Sequence, residues 1–353
     1  MCDYEFIEER SQEDILNLTQ LNCTNIETFE SFETRWIDYV IVFLSALVVV
    51  VGVPGNVLVI TVVRTNRVMR TTTNYLLVNL ACSDLLSLAF GPCFFNLHIV
   101  HPKTKLTADY LCKFITGSAT TVVAMTVSAI TLTVIAVERF KALVLPFQEK
   151  LKLTEARIPY VVIFVWIFGL GFSLSSYINI EFDSKRELCF DFSGKFHIIR
   201  TVMVSILPAV IIAFCYLGIV RGLYWTRTIY TERQGIQSDI ISKRKLCKLL
   251  VTVTVVFFLC HLPRALFEIY LSVITGYTDA QKKRLDIAVE IGDFLLFTNA
   301  ALNPLIYAFN SSNYRRSFSR LCRCGRNRIT IEPRRVNIEQ GVSERNVVRS
   351  FES

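Results

Sequence analysis

The stretch Asn303-Pro304-Leu305-Ile306-Tyr307 decides the fold, because it places a proline and polar side chains near the end of a long apolar segment. Proline has no backbone N–H group, so inside a helix it leaves one carbonyl of the preceding turn without its usual donor. Membrane hydrocarbon offers no water to that carbonyl, and neighbouring helices or ordered water must satisfy it. The stretch therefore indicates a kinked helix within a membrane bundle. The kink either belongs to a functional interior of the bundle or serves helix packing alone.

The rest of the chain predicts an all-α membrane protein. Hydrophobic residues make up 52% of the 353 residues, and charged residues only 19%. The apolar residues come in blocks of about the 20 residues that a helix needs to cross the hydrocarbon core. We predict a bundle of seven transmembrane helices with these spans: 36–64, 73–97, 109–141, 157–178, 196–225, 242–275 and 286–309.

The distribution of charge predicts the orientation. Lys and Arg cluster after the first and fifth spans and in the tail, and such residues concentrate on the cytoplasmic side. Nine acidic residues lie before the first span, which places that segment outside the cell. The net charge of +8 averages these two faces and does not indicate nucleic-acid binding. We predict an extracellular acidic segment over 1–35, the bundle over 36–310, and a cytoplasmic amphipathic helix with a basic tail over 311–353.

Two modifications are predicted at the ends of the chain. Asn17 and Asn22 each begin an Asn-x-Thr sequon in the exterior segment, where glycosylation occurs. Cys322 and Cys324 lie beside arginines in the tail near the membrane, which suits reversible palmitoylation.

Four cysteines fall on the predicted exterior, where the oxidising environment allows disulfides. Cys112 begins the third span and Cys189 lies in the loop between spans four and five, so these two are able to pair. Cys2 and Cys23 form a second bridge or stay free, and the sequence does not decide between these alternatives.

Asp84 lies deep in the second span, where an ionised carboxylate costs at least a few kcal/mol unless it is paired, hydrated or bound to a metal. Polar surroundings are available from other spans: Asn56, Ser128, Asn299 and Asn303. Two interpretations remain open. The cluster either holds Na⁺ and water or is a structural hydrogen-bond network.

Arg139 follows Glu138 at the inner end of the third span. It either contacts a cytoplasmic partner or extends its side chain to water, as basic residues near helix ends do.

Seven motifs occur in order, one in each predicted span: Gly55-Asn56; Asn79-Leu80-Ala81-Cys82-Ser83-Asp84; Glu138-Arg139-Phe140; Trp166; Pro208 with Tyr216; Phe257 with Cys260-His261-Leu262-Pro263; and Asn303-Pro304-Leu305-Ile306-Tyr307. Together they resemble the rhodopsin-like (class A) G-protein-coupled receptors, and within them the peptide receptors. The resemblance covers residues 36–324.

The resemblance implies a function for each motif. Arg139 is released on activation to meet a heterotrimeric G protein, and arrestin is a second partner of that face. Tyr216 and Tyr307 become partners of Arg139 in the active state. The implied coupling and activation residues are Glu138, Arg139, Phe140, Tyr216, Lys243, Asn303, Pro304 and Tyr307.

The resemblance also implies an allosteric Na⁺ ion bound by Asp84, Ser128, Asn299 and Asn303, and no other cofactor. Residues 313–321 are similar to the family's short amphipathic helix, which lies on membrane lipid.

The chain departs from the family pattern in four places. His261 replaces the usual tryptophan switch, and Lys243 replaces an acidic residue that often restrains the arginine of span three. Cys112 lies 27 residues before Arg139, two more than usual, and span four lacks a proline near Ser176. The change at Lys243 removes an attraction to Arg139, so we expect raised basal activity.

Two positions exclude familiar ligands. Thr121 stands where amine receptors carry an aspartate, so a monoamine lacks its counter-ion. Phe297 stands where an opsin carries its retinal-bearing lysine, so a light receptor is excluded.

Helical spacing instead predicts a charged outer pocket. His261, Arg264 and Glu268 share one stripe of span six, and Asp286, Glu290 and Asp293 share one stripe of span seven. Three interpretations remain open. In the first, Arg264 and Asp293 form an internal pair, and the carboxylates around it are solvated. In the second, the same pair forms and Glu268 and Glu290 meet a cationic ligand, and in the third, Arg264 binds an anionic ligand.

We therefore predict a multi-pass plasma-membrane receptor for an extracellular cationic peptide, with its N-terminus outside and its C-terminus in the cytoplasm. The ligand-binding residues predicted from the pocket and the resemblance are Thr121, His261, Arg264, Glu268, Glu290, Asp293 and Phe297. Alternatives are an orphan or constitutively active receptor and a receptor for an anionic small molecule or lipid acid. Internal repeats of a transporter are not evident. The sequence shows no nucleophile motif, metal-ligand spacing or phosphate loop of an enzyme.

Overall fold

The computed structural model describes residues 12–95, 105–116, 118–145, 153–183, 188–191, 195–229, 234–273 and 278–327. The helices in these ranges are α1 (Gln12–Thr65), α2 (Thr72–Phe95), α3 (Lys105–Leu111), α4 (Ser118–Val144), α5 (Ile158–Asn179), α6 (Lys195–Thr201), α7 (Leu207–Ile229), α8 (Gln234–Val273), α9 (Asp279–Asn310) and α10 (Ser312–Asn327). Two π-helices lie at Cys112–Thr116 and Val202–Ile206, and two 3₁₀ turns lie at Arg67–Met69 and Glu155–Arg157.

The helices form the predicted bundle. The third span runs through α3, the first π-helix and α4, and the fifth runs through α6, the second π-helix and α7. Within the described ranges, six stretches are long and apolar enough to cross a membrane. The seventh span, in α9, is not among them, because its carboxylates and asparagines lower its hydropathy.

Several helices are longer than predicted. α1 begins at Gln12 rather than 36, and the intervening residues contain neither proline nor glycine to stop it. α9 begins at Asp279 rather than 286, because Thr278 and Gln281 form a capping box at its start. α8 begins at Gln234 rather than 242, and the amphipathic helix α10 extends to Asn327 rather than 321.

The outer loop after span four contains a β-hairpin that the sequence reasoning missed. Strands β1 (Ile180–Asp183) and β2 (Leu188–Asp191) pair antiparallel, with Phe182 opposite Cys189. The backbone N–H of Phe182 donates to Asp109 at 2.9 Å, and Ile180 is buried against Cys112. The hairpin therefore lies against the outer end of span three.

The bundle exposes large apolar side chains on its outer surface, and polar side chains within its largely apolar core bond the helices to one another. Trp166 Nε1 donates to Asn79 Oδ1 at 2.9 Å, and the Asn79 amide donates to Thr131 at 2.8 Å. These two bonds join spans two, three and four. Large apolar side chains such as Phe164 and Phe214 face outward and are more than half exposed.

Candidate functional site

The kink at Pro304 is satisfied by a neighbouring helix. The carbonyl that Pro304 leaves without a helical donor belongs to Ala300, and Asn56 Nδ2 donates to it at 2.9 Å. Asn56 also donates to the Gly52 carbonyl at 3.0 Å. A Cβ at Gly55 would lie 2.8 Å from the Pro304 ring, so only glycine admits this approach. The motif residues of spans one and seven thus form one joint.

Of the predicted Asp84 cluster, Asn303 contacts the Asp84 carboxylate in the bundle centre. Asn303 Nδ2 donates to Asp84 Oδ2 at 2.8 Å, and both side chains are almost fully buried. Ser128 lies 2.8 Å from Ser83, the neighbour of Asp84. The Oδ1 atoms of Asn299 and Asn303 are buried, with no hydrogen-bond partner in the described part of the chain.

These oxygens fit a Na⁺ ion. Hard cations prefer carboxylate, amide and hydroxyl oxygens, and the cluster offers each of these. Asp84 would hold the charge of the ion, while Ser128, Asn299 and Asn303 would complete its oxygen shell. Asn56 Nδ2 is engaged by the two backbone carbonyls of the Pro304 joint, whereas Asn56 Oδ1 is buried without a hydrogen-bond partner among the described residues.

At the inner end of span three, Glu138 holds Arg139. Arg139 Nε and Nη2 donate to the Glu138 carboxylate at 2.5 and 2.7 Å. Thr72 and Thr73 at the start of α2 donate to the same carboxylate at 3.1 and 3.2 Å, and Arg139 also donates to Thr73. The arginine is thereby fixed against span two, on the face predicted to meet the G protein.

The other activation residues surround this pair. Phe140 packs on span five, where a Cβ at Gly218 would lie 2.4 Å from its ring. The Tyr216 hydroxyl lies 3.4 Å from Thr254 Oγ1. Tyr307 is buried and stacks on Tyr314 of α10, with ring centroids 5.2 Å apart.

Neither Tyr216 nor Tyr307 hydrogen-bonds Arg139 in the described part of the chain. The Tyr307 hydroxyl is buried there without a partner. Lys243 lies in α8, and its side chain is outside the described set.

The outer halves of spans six and seven carry the predicted ion pair. Arg264 Nε donates to Asp293 Oδ1 at 2.7 Å, and Arg264 Nη1 lies 3.3 Å from Glu268 Oε1. The arginine stem packs over Gly292, where a Cβ would lie 3.3 Å from it.

Glu268 is not an open carboxylate. Arg200 of α6 donates to Glu268 Oε1 at 3.1 Å, and Thr201 donates to Oε2 at 2.6 Å. Arg200 Nη1 also donates to Ser176 Oγ of α5 at 2.8 Å. One network therefore joins spans four to seven: Ser176, Arg200, Glu268, Arg264 and Asp293.

Sequence reasoning missed Arg200, although the signal was present. Arg200 is a charged residue inside the predicted fifth span, and the rule that singled out Asp84 applied equally to it. Ser176, near which span four lacks the family's proline, supplies a hydroxyl to this network.

The remaining pocket residues lie around the network or below it. Glu290 is exposed on α9, and Thr121 is half-buried on α4. Phe297 is buried against Gly91 of span two, where a Cβ would lie 2.3 Å from its ring. Asp286 lies in α9 with its side chain outside the described set.

His261 is buried at the base of the pocket. Its Nδ1 lies 2.7 Å from the Phe257 carbonyl, and its ring stacks on Phe257 at 3.7 Å. Nε2 is buried without a hydrogen-bond partner among the described residues.

The residues predicted to be modified lie in the following places. Cys112 is disulfide-bonded, and Cys189 lies in β2, so their pairing stays a prediction. Asn17 and Asn22 lie in α1, and Cys322 and Cys324 lie in α10; these side chains are outside the described set. Cys2 also lies outside the described residues.

Comparison with known proteins agrees with the fold and the motifs. A QRFP-like peptide receptor of Branchiostoma floridae is 28% identical over 312 residues, 83% of this chain and 78% of the relative. The neuromedin-K receptor of Mus musculus is 30% identical over 286 residues, 78% of this chain and 62% of the relative. The Mus musculus substance-P receptor is 27% identical over 314 residues, 85% of this chain and 76% of the relative.

The family profile described as 7 transmembrane receptor (rhodopsin family) matches residues 55–307. This range contains the Pro304 joint, the Asp84 cluster, the Glu138–Arg139 pair and the charged network. The resemblance inferred from the motifs is thereby confirmed. The chain belongs to the rhodopsin family of seven-transmembrane, G-protein-coupled receptors.

Proposed function

We propose that this receptor binds an extracellular peptide with a cationic group. The cationic group that we propose is an arginine near an amidated carboxyl end. The observation that carries the proposal is the set of carboxylates on α8 and α9: Glu268, Asp293 and Glu290. The relatives in the comparison, which are named as peptide receptors, support a peptide. The first residues of the chain are extracellular, and the tail is cytoplasmic.

The network defines how a cation can enter. Arg200 and Arg264 already neutralise Glu268 and Asp293, so a cation at Glu268 must replace a guanidinium rather than fill an open site. Glu290 is exposed at the rim and makes the first contact. Its attraction to the ligand is screened beyond about 8 Å at physiological salt, so Glu290 selects among ligands only at close range.

At the inner face, the receptor activates a heterotrimeric G protein through Arg139. Glu138, Thr72 and Thr73 hold Arg139 against α2. Activation frees Arg139 from these groups, and Tyr216 and Tyr307 then become its partners. Arrestin binds the same face of the receptor.

The experiment that tests the peptide is a screen of carboxyl-amidated peptides on cells that express the receptor, with several G-protein readouts. Glu290→Gln and Glu268→Gln should each lower the potency of an active peptide roughly tenfold. Glu155→Gln is the matched control, because it removes an exposed carboxylate from the opposite end of the bundle. Equal potency on all four receptors would contradict the proposal.

A second candidate ligand is an anionic small molecule or lipid acid bound by Arg264. The observation that favours it is the presence of two guanidinium groups in the pocket, Arg200 and Arg264. Activation by anionic ligands alone, with Arg264→Gln the most damaging change and Glu290→Gln harmless, would establish this function instead.

A receptor with high basal activity is a third candidate, motivated by Lys243 and His261.

Several further proposals concern the modified ends: sugars on Asn17 and Asn22, fatty acyl chains on Cys322 and Cys324, and contact of α10 with inner-leaflet lipid. The arrangement of Tyr314, Phe318 and Leu321 toward the bundle, with Arg315, Arg316 and Arg320 exposed or nearly so, supports that lipid contact.

A further inference from the structure

The guanidinium of Arg200 is held by side chains from two other spans. Nη1 donates to Ser176 Oγ of span four at 2.8 Å, and Nη2 donates to Glu268 of span six at 3.1 Å. Thr201, the next residue of span five, fixes the other carboxylate oxygen of Glu268 at 2.6 Å. Ser176 is fully buried, and the Arg200 and Glu268 side chains are only 12% and 17% exposed. These buried groups form a site for a planar cation that donates hydrogen bonds from two of its nitrogens.

We propose that Ser176, Thr201 and Glu268 form a guanidinium subsite, that Arg200 occupies it as a tethered competitor, and that an arginine of the ligand replaces Arg200 there. The inference rests on the proposed cationic peptide and specifies its chemistry. Ligand specificity is then set by Arg200, a residue outside the motifs of the chain.

Charge balance supports replacement rather than addition. In the contacts described above, two guanidinium groups, Arg200 and Arg264, face two carboxylates, Glu268 and Asp293. A third cation placed beside both arginines would meet like charge in a site largely shielded from water, which is unfavourable. An exchange of one guanidinium for another leaves the charge of the network unchanged.

The structure also indicates which arginine is exchanged. Arg264 has a second carboxylate partner, Asp293, at 2.7 Å, so it would stay paired if its contact with Glu268 were lost. Arg200 lies in the short helix α6, directly before the π-helix Val202–Ile206. Such π segments are rare and often occur at functional sites. Release of Arg200 would remove one of the two described bonds from α6 to Glu268, and Thr201 would keep the other.

Arginine should be favoured over lysine in the ligand. Ser176 and Glu268 accept from two different nitrogens of one planar group, and an ammonium cannot reproduce that spacing. The proposal therefore names the ligand group as a guanidinium, more narrowly than a cation.

Chemical complementation tests the subsite without the natural ligand. In Arg200→Ala, Glu268 keeps its position and the space of the guanidinium opens, so methylguanidinium at millimolar concentration should bind there. The readout is the thermal unfolding temperature of the purified receptor in detergent. We expect methylguanidinium to raise it by roughly 2–4 °C once it is in about tenfold excess over its dissociation constant.

Three controls make the result specific. Methylammonium should have less effect on Arg200→Ala, and methylguanidinium should have none on Arg200→Ala combined with Glu268→Gln. Arg284→Ala removes an exposed arginine from the outer part of α9 and should show no rescue. Equal shifts with both cations, or in the double variant, would overturn the subsite. Arg200→Gln, which retains a hydrogen-bond donor, replaces Arg200→Ala if the alanine variant does not fold.

A second arm separates this inference from the proposed function. Arg-Phe-amide peptides are compared with citrulline-Phe-amide peptides, which keep the shape but lose the charge. If Arg200 competes with the ligand, Arg200→Gln should raise the potency of an active arginine peptide roughly tenfold. Unchanged potency with a peptide that activates the wild type would overturn the competition but retain the proposed function. Failure of every cationic peptide on the wild type would overturn the proposed function, and complementation would still decide the subsite.

Discussion

Asp293→Asn should destabilise the receptor, because it leaves Arg264 inside the bundle without its nearest carboxylate. The substitution keeps the size of the side chain but removes the charge 2.7 Å from Arg264 Nε. Arg264 then remains inside the bundle with Glu268 alone, at 3.3 Å. Glu268 is already shared with Arg200, so it cannot neutralise both guanidinium groups.

The magnitude follows from burial. Removal of one partner from a fully buried ion pair costs about 3–5 kcal/mol. Arg264 is 22% exposed and Asp293 18%, and Glu268 retains part of the interaction, so we expect a smaller loss. A loss of about 1–3 kcal/mol corresponds to a thermal unfolding temperature lower by roughly 1–4 °C for a chain of this size.

The assay is thermal unfolding of the purified receptor in detergent, with Glu290→Gln as the matched control. Glu290 lies on the same helix one turn earlier and is exposed, so its loss should change the unfolding temperature little. Equal unfolding temperatures for Asp293→Asn and the wild type would show that Arg264 does not depend on Asp293.

Three further predictions concern signalling. Arg139→Ala should abolish agonist-driven nucleotide exchange while surface expression, measured by antibody binding, stays unchanged; normal exchange would remove Arg139 from the mechanism. If Asp84 binds Na⁺, agonist affinity in radioligand competition should fall when Na⁺ replaces an impermeant organic cation. The variant Asp84→Asn should show no difference between the two salts. Equal agonist affinity in both salts on the wild type would exclude the sodium site. Lys243→Glu should lower basal nucleotide exchange, because it restores an acidic residue that can restrain Arg139; an unchanged basal rate would mean that this restraint is unimportant.

The sequence predicted the bundle because its information is local and repeated. Apolar blocks of transmembrane length mark six of the spans in the described ranges, and the motif residues mark one position in each span, including the seventh. The roles of Asn56 and Pro304 follow a general rule, since a proline in lipid needs a donor from elsewhere. The structure supplies the identity of that donor, an amide from span one on the Ala300 carbonyl.

The predictions failed where a contact depended on helix packing that spacing along the sequence does not reveal. The Arg264–Asp293 pair could be placed from helical spacing on adjacent spans, and the structure contains it. Arg200 lies on span five, and its contact with Glu268 depends on helix packing and on the π-helix that follows it. Helical spacing within one segment contains no information about that contact. Glu268 was therefore predicted as an open carboxylate, although it is already paired.

Helix ends and the outer hairpin show the same limit. α1 runs back to Gln12 because nothing in the sequence interrupts it, and hydropathy marks only the part that lies in lipid. The hairpin is held by a contact between Asp109 and the backbone of Phe182, which are far apart in sequence. The first strand does alternate apolar and acidic residues, Ile180-Glu181-Phe182-Asp183, but four residues are the shortest run on which alternation indicates a strand.

The most direct test of the proposed function is nucleotide exchange on a G protein reconstituted with the purified receptor, driven by matched arginine and citrulline peptide amides. The account predicts exchange with the arginine peptide, little with the citrulline peptide, and roughly tenfold lower potency of the arginine peptide on Glu268→Gln. Equal activity of the two peptides, or activation by anionic ligands that is lost in Arg264→Gln and kept in Glu290→Gln, would contradict it.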